Sequence, residues 1–290
     1  MNYLLTDNDL KFTSAVLRVR GPDANSYLQG QFTQDLKQAK MGPCYGLWLD
    51  QKGKVLADSH IQQIAENEYL VISLTAPAAV LQARLEAYLI ADEVELHDET
   101  GEWVSVLLWG DNKPVFPLPV GAVGFPSRRA GVGAGEILVP AAQAEALLAQ
   151  VRHFAVVGDR AAAELARLRA GMPSVPADLG PRDLPAEGAL DEVAISYTKG
   201  CYLGQEVMAR LKNLGQVRRA LHVVGGVGAP PAPGTVLYQG ERKAGEVRSG
   251  AADGGNFLAM AMLSLVQLDP AAPLGLAPGG EGSLTILRRV

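Results

Sequence analysis

A chain of 290 residues, 48% hydrophobic and 20% charged, has material for a large core, and it exceeds the roughly 100–200 residues typical of one domain. Its formal net charge of −5 argues against a protein that coats nucleic acid by bulk charge and leaves only a local basic patch for such contact. The N-terminal MNYLLTDNDLK has no basic or long apolar leader stretch, and the longest apolar run, near Phe257–Val266, falls far short of the roughly 20 residues that span a bilayer; a cytoplasmic protein without a membrane segment is expected.

In chain order, AVLRVRG (15–21) reads as a strand, with Leu17 and Val19 on one face and Arg18 and Arg20 on the other. A short helix follows over GPDANSYLQG: Pro22 suits its first turn, Asp23 its positive start, and Gly30 a C-terminal cap. CYGLWLD (44–50), a Gln51–Lys54 turn and VLADSHIQQI (55–64) form a predicted hairpin, with another strand at 69–74. Residues 76–90 carry Val80, Leu81, Leu85, Tyr88 and Leu89 at helical spacing. WVSVLLW (103–109) is a buried strand, and the Gly/Pro-rich stretch 110–135 is expected to be loop. Two Ala/Leu-rich helices follow, at 141–151 and 159–171, the second stopped by Gly171 with Pro173 beyond.

Four prolines at 173, 176, 181 and 185 then predict an extended loop over 172–192, without a persistent regular element. Beyond residue 216 the composition changes to about five strands with a Pro-rich connection at 228–234, which reads as a small antiparallel β-barrel or sandwich. The expected organisation is α+β, in two domains: 1–218 and 219–290.

The densest chemistry lies in SYTKGCYLGQE, 196–206. In an extended segment Lys199 and Cys201 would share a face, and an ammonium beside a thiol favours the reactive thiolate. Gly200 and Gly204 permit unusual backbone angles and close approach of a ligand. Gln205 and Glu206 would open a helix, with Arg210 one turn on from Glu206. Against this reading stands a plain buried cysteine with a solvated lysine. Cys44 and Cys201 are far apart and the four histidines scattered, so no metal framework and no resident iron–sulfur cluster is expected. Arg210, Lys212, Arg218 and Arg219 form a basic run that is either a solvated face or a site for an anion such as a glutamyl tail or an RNA backbone.

KGCYLGQE at 199–206 resembles the signature of the YgfZ-type folate-binding proteins, relatives of the glycine cleavage T-protein, an aminomethyltransferase. VRGPDANSYLQGQFTQDL (19–36), GLWLDQKGKVLAD (46–58), RAGMPSVP (169–176) and GTVLYQGERKAGEVRSG (234–250) are similar to the family's other segments, in the same order. The resemblance implies a T-protein-like folate-binding α+β unit with a small C-terminal β-barrel. It implies tetrahydrofolate in a central channel. It also implies support of iron–sulfur cluster assembly or repair, with an indirect effect on tRNA modification.

On that basis Cys201 and Lys199 are the catalytic candidates, and Tyr202, Gly204, Gln205, Glu206, Arg210, Asp58 and Gln31 the folate candidates. Gln29, Gln31 and Thr33 are expected either to bond backbone in a turn or to line the channel. The implied partners are folate and iron–sulfur enzymes or assembly factors, without direct nucleic-acid binding. Two departures count against glycine-cleavage chemistry: Ala57-Asp58 stands where the T-protein has paired aspartates, and Arg169 where it has an acid. A one-carbon transferase resting on Asp58, and a non-catalytic folate- or tRNA-binding module, remain as alternatives.

Overall fold

The computed structural model describes residues 2–6, 15–110 and 116–290. The first sheet is antiparallel, in the order β3 (Cys44–Leu49), β4 (Val55–Ala65), β5 (Glu68–Ser73), β2 (Ala15–Arg20), β6 (Glu95–Asp98). Two helices, α1 (Ala24–Gln31) and α2 (Ala78–Glu86), cover one face. Between them and the sheet, Leu17, Val19, Leu28, Trp48, Leu81 and Leu85 are fully buried. Alternation in β2 holds as expected on this face, while Arg18 pairs with Glu68 and Glu99. Val16, on the opposite face, is buried too, because a second sheet packs there through Phe125 and Leu138.

The second sheet has the order β10 (Val156–Val157), β1 (Asn2–Thr6), β7 (Trp103–Gly110), β9 (Gly135–Pro140), β8 (Val123–Pro126). Helices α3 (Ala144–Val151) and α4 (Arg160–Ala170) pack on it. The side chain of Asp159 caps α4 by accepting from the Ala162 N–H, and Gly171 ends the helix at φ 69°, the left-handed cap its position predicts.

Several expectations need correction. Part of the 110–135 stretch, residues 111–115, lies outside the described residues, as do residues 7–14 of the N-terminal segment. The remainder of 110–135 is not all loop: Val123–Pro126 pairs with β9, since backbone pairing needs no apolar run. Gly30 lies inside α1 rather than capping it, and its carbonyl accepts from the Leu203 N–H.

The 172–192 segment contains a 3₁₀ turn, Pro185–Gly188, and a short helix, α5 (Leu190–Ala194). Three of its acids, Asp178, Asp183 and Glu187, are buried and paired, while Glu192 is exposed. Asp178 meets Arg167 of α4 at 2.6 Å, while Asp183 meets Arg248 and Arg219 at 3.0 Å each. Such pairs need near-complete hydrogen bonding to offset desolvation, and Ser249 and the Ser174 N–H supply it for Asp178.

The C-terminal strands close into a six-stranded barrel, one more than expected: β11 (Arg219–Val227), β14 (Asn256–Ser264), β13 (Arg242–Asp253), β12 (Val236–Gln239), β15 (Leu274–Gly275), β16 (Gly282–Arg289). The extra strand, β15, is two residues long and carries no periodic signal. One buried cluster, including Leu49, Val175, Leu190, Tyr202, Leu221 and Met260, joins the first sheet, the 172–192 segment and the barrel. The fold is therefore α+β with a closed antiparallel C-terminal barrel.

Candidate functional site

Cys201 is exposed and Lys199 is buried, so the two do not share a face. Residues 197–200 bend instead of extending, which removes the alternation on which that expectation rested. The Lys199 ammonium donates to the carbonyls of Gln29 (2.7 Å), Phe32 (2.7 Å) and Gln34 (3.0 Å). Burial pushes its pKa down to about 8, against the pull of Asp35 and Cys44. The nearby thiol that feels this charge is Cys44, which is buried and itself pushed up to about 11 by desolvation.

Lys199 thus pins the chain after α1, and further bonds reinforce the junction. Ser196 N–H donates to the Thr33 carbonyl, Thr33 Oγ1 donates to the Ala194 carbonyl at 2.7 Å, and Leu47 N–H donates to Thr33 Oγ1 at 2.7 Å. GQFTQDL and KGCYLGQE, widely separated in sequence, are one mechanical unit, with Cys201 displayed on its surface.

Gly204 sits at φ 87° at the start of helix α6 (Gln205–Leu214), where a Cβ would lie 2.9 Å from the Asp50 carbonyl oxygen. Only glycine lets this helix start close on the β3–β4 turn. Tyr202 is buried beneath the motif with its ring 5.4 Å from the Lys199 amine. Its hydroxyl is buried without a hydrogen-bond partner among the described residues, and burial raises its pKa. Gln205 is half-buried, and Glu206 and Arg210 are exposed, 3.5 Å apart one helical turn from each other.

The remaining members of the basic run point to different partners. Lys212 lies 3.6 Å over the Tyr197 ring, Arg219 is held by Glu187 and Asp183, and Arg218 is exposed. The run does not form one patch, because the helix and the following strand project successive residues in different directions.

Asp58 occupies a second feature, a slot between the first sheet, the β8–β9 loop, α4 and the Pro173–Val175 turn. It accepts from the Tyr45 hydroxyl at 2.8 Å and the Thr75 hydroxyl at 3.2 Å. Desolvation raises its pKa, opposed by those hydroxyls and by the Arg128 guanidinium. Arg128 lies 5.1 Å from the Tyr45 ring centre, with a buried Nε that has no partner among the described residues. His60 stacks between Tyr45 (5.1 Å) and Phe125 (4.4 Å). Burial, with Arg128 nearby, pushes its imidazole down to about 3, so it is neutral. A carboxylate, a guanidinium, hydroxyls and aromatic walls suit a flat heterocycle bearing both donors and acceptors.

None of residues 199–210 lines this slot, so the motif and Asp58 are separate stations linked by the β3–β4 hairpin. Gln31 lies outside it as well: it accepts from Arg84 Nη1 at 3.1 Å, and Arg84 Nη2 reaches the Leu49 carbonyl at the same distance. Gln29 bonds the Leu36 N–H and Asp35, so Gln29 and Thr33 serve the turn. Tyr45, Thr75 and Arg128 carried no motif signal; each is isolated in sequence and meets Asp58 only through sheet packing.

Residues 11–113 match the family described as the GCVT N-terminal domain. The human mitochondrial iron-sulfur cluster assembly factor IBA57 is 30% identical over 268 aligned positions, covering 81% of this chain and 72% of that protein. The chain belongs to the YgfZ/IBA57 family. The tRNA-modifying protein YgfZ of Vibrio vulnificus is 28% identical, with 80% of this chain and 73% of that protein covered. The chain spans 63% of the Cryptococcus neoformans IBA57 homologue, at 26% identity. The glycine cleavage aminomethyltransferase T of Bartonella henselae superposes with a TM-score of 0.77 at 19% identity, covering 98% of this chain and 84% of that one. That likeness establishes the T-protein fold for this chain. No helix among the described residues is long and apolar enough to cross a membrane.

Proposed function

We propose that this protein binds tetrahydrofolate in the Asp58 slot and supports iron–sulfur cluster assembly or repair through Cys201, affecting tRNA modification indirectly through iron–sulfur enzymes. The observation that carries the reading is the pairing of an exposed free thiol on a pinned loop with a separate polar slot on the same hairpin scaffold. The names of the human and Vibrio relatives support the direction of the role.

In this reading, Asp58 and Arg128 orient the pterin ring, with Tyr45 and Thr75 fixing the carboxylate. Bound tetrahydrofolate supplies a carrier for one-carbon units or a reduced pterin. Cys201 meets the client, an iron–sulfur enzyme or assembly factor, from the open surface. Tyr202 and Gly204 support the thiol loop and its helix from beneath, while Gln205, Glu206 and Arg210 flank the thiol on the surface side. Lys199 acts as a positioning residue for that loop.

The test is complementation of a deletion strain, reading aconitase-type iron–sulfur enzyme activity, alongside calorimetric titration of tetrahydrofolate. Cys201→Ala is expected to bind folate normally and fail to complement, and Asp58→Asn to lose folate affinity by about tenfold or more. Full rescue by Cys201→Ala would remove the thiol from the mechanism, and undiminished folate binding by Asp58→Asn would remove the slot.

A further inference from the structure

A second concave surface lies away from both the Asp58 slot and Cys201. It is a groove of ≈ 740 Å³ between the β3–β4 turn, the 172–192 segment, the end of α6 and the barrel. Five cationic side chains line it: Lys54, Arg182, Arg218, Arg219 and Lys243. The acids among the lining residues are Glu187 and Glu246, and the buried Asp183 behind them also pairs with Arg219. Arg219 holds Glu187, and Arg182 and Arg248 approach Glu246, so both acids are already compensated. Arg218 and Lys243 stand exposed. On a chain with net charge −5, this is a concentration of positive charge against the overall field.

The floor of the groove is apolar. Leu184, Leu211 and Val217 are half-buried, and Val266 is 58% exposed. An apolar strip within a basic rim matches an amphipathic segment that carries carboxylates beside aliphatic side chains. A nucleic acid fits less well. The lining has no aromatic side chain on which a base stacks, and the two carboxylates would face the phosphates.

We infer that this groove docks an acidic, leucine-rich peptide segment of a partner protein. The groove runs along the far end of α6, whose start follows Cys201 closely. At ~1.5 Å per residue, Leu211 stands about 10 Å beyond Gly204 along that helix. A segment seated in the groove would bring its parent protein to the thiol-bearing side of the molecule. Docking itself requires neither folate nor Cys201.

Fluorescence anisotropy with a short fluorescein-labelled peptide of alternating glutamates and leucines tests this on the full-length protein. A Lys/Leu peptide and a single-stranded RNA of equal length serve as competitors. Saturable binding of the Glu/Leu peptide is expected, weakened by added NaCl and about tenfold by the double variant Arg218→Glu/Lys243→Glu. Val266→Asp, at an exposed position, is expected to weaken it comparably by removing part of the apolar floor. All variants involve exposed side chains and are expected to melt with the wild type. No binding, binding untouched by both variants, or displacement by RNA ahead of the unlabelled Glu/Leu peptide would overturn the inference.

Discussion

Lys199 and Cys201 are separated by a single glycine, yet the Lys199 amine is buried against the carbonyls of Gln29, Phe32 and Gln34 while the Cys201 thiol faces solvent. The lysine therefore shapes the loop that displays the cysteine and leaves the thiol open to a partner. This separates two roles that a linear reading of KGCYLGQE merges.

The native protein is expected to offer one fast-reacting thiol. Cys201 is exposed, whereas Cys44 is buried, with its ionisation pushed up to about 11. Ellman titration of folded protein should release about one equivalent rapidly, and Cys201→Ala should abolish that phase. Denaturant should release the second thiol. Rapid reaction of both in the folded state would contradict the burial of Cys44.

Lys199→Met should destabilise the fold by roughly 2–4 kcal/mol, because three carbonyls lose a donor in a buried junction. The pH dependence has a definite sign. The folded-state pKa, about 8, lies below the unfolded value of ~10.4, so the unfolded chain binds more protons across that window. The burial cost of the ammonium is fully present below about pH 8 and lifts as pH rises through the window. Urea melts should show the gap between wild type and Lys199→Met widening from pH 8 towards pH 10. A gap independent of pH would show that the amine does not titrate there.

His60 predicts sensitivity to acid. Its imidazole is held neutral with a pKa of about 3, while an unfolded histidine titrates near 6.5, so the unfolded state takes up the proton first as pH falls. The loss of stability attributable to His60 reaches about 2 kcal/mol at pH 5 and grows towards pH 3. His60→Gln, which removes the titrating group but keeps an amide donor, should flatten the decline between pH 7 and pH 5. An unchanged decline would assign it to other groups.

Gly204→Ala should cost roughly 2 kcal/mol or more, combining a left-handed backbone angle with a Cβ 2.9 Å from the Asp50 carbonyl oxygen. Thermal melting gives the cost directly. Because the start of α6 would be forced off the β3–β4 turn, the rate of Cys201 labelling should change as well. A variant as stable as the wild type would mean that the helix start and hairpin turn separate easily.

Much of the scaffold was legible because it depends on local periodicity. Alternation marked β2 and the β3–β4 hairpin, and Gly171 marked the end of α4. The strand Val123–Pro126 was not legible, since glycine and proline dominate its surroundings and its pairing with β9 is non-local. The Pro-rich 172–192 segment looked irregular and polar for the same reason. Its buried acids Asp178, Asp183 and Glu187 are paired with Arg167, Arg219 and Arg248, which come from other elements.

The sequence by itself determined the α+β class and a strand-rich C-terminal part, and it singled out the stretch around Cys201 as the densest in chemical groups. Those follow from short-range spacing and residue type, which the chain carries locally. Tertiary structure decided that Lys199 faces inward and Cys201 outward, and that Tyr45, Thr75 and Arg128 converge on Asp58. It also drew five scattered cations to one groove. Burial, desolvation and charge pairing depend on which distant segments meet, and that is fixed only when the sheets, α4 and the barrel pack together.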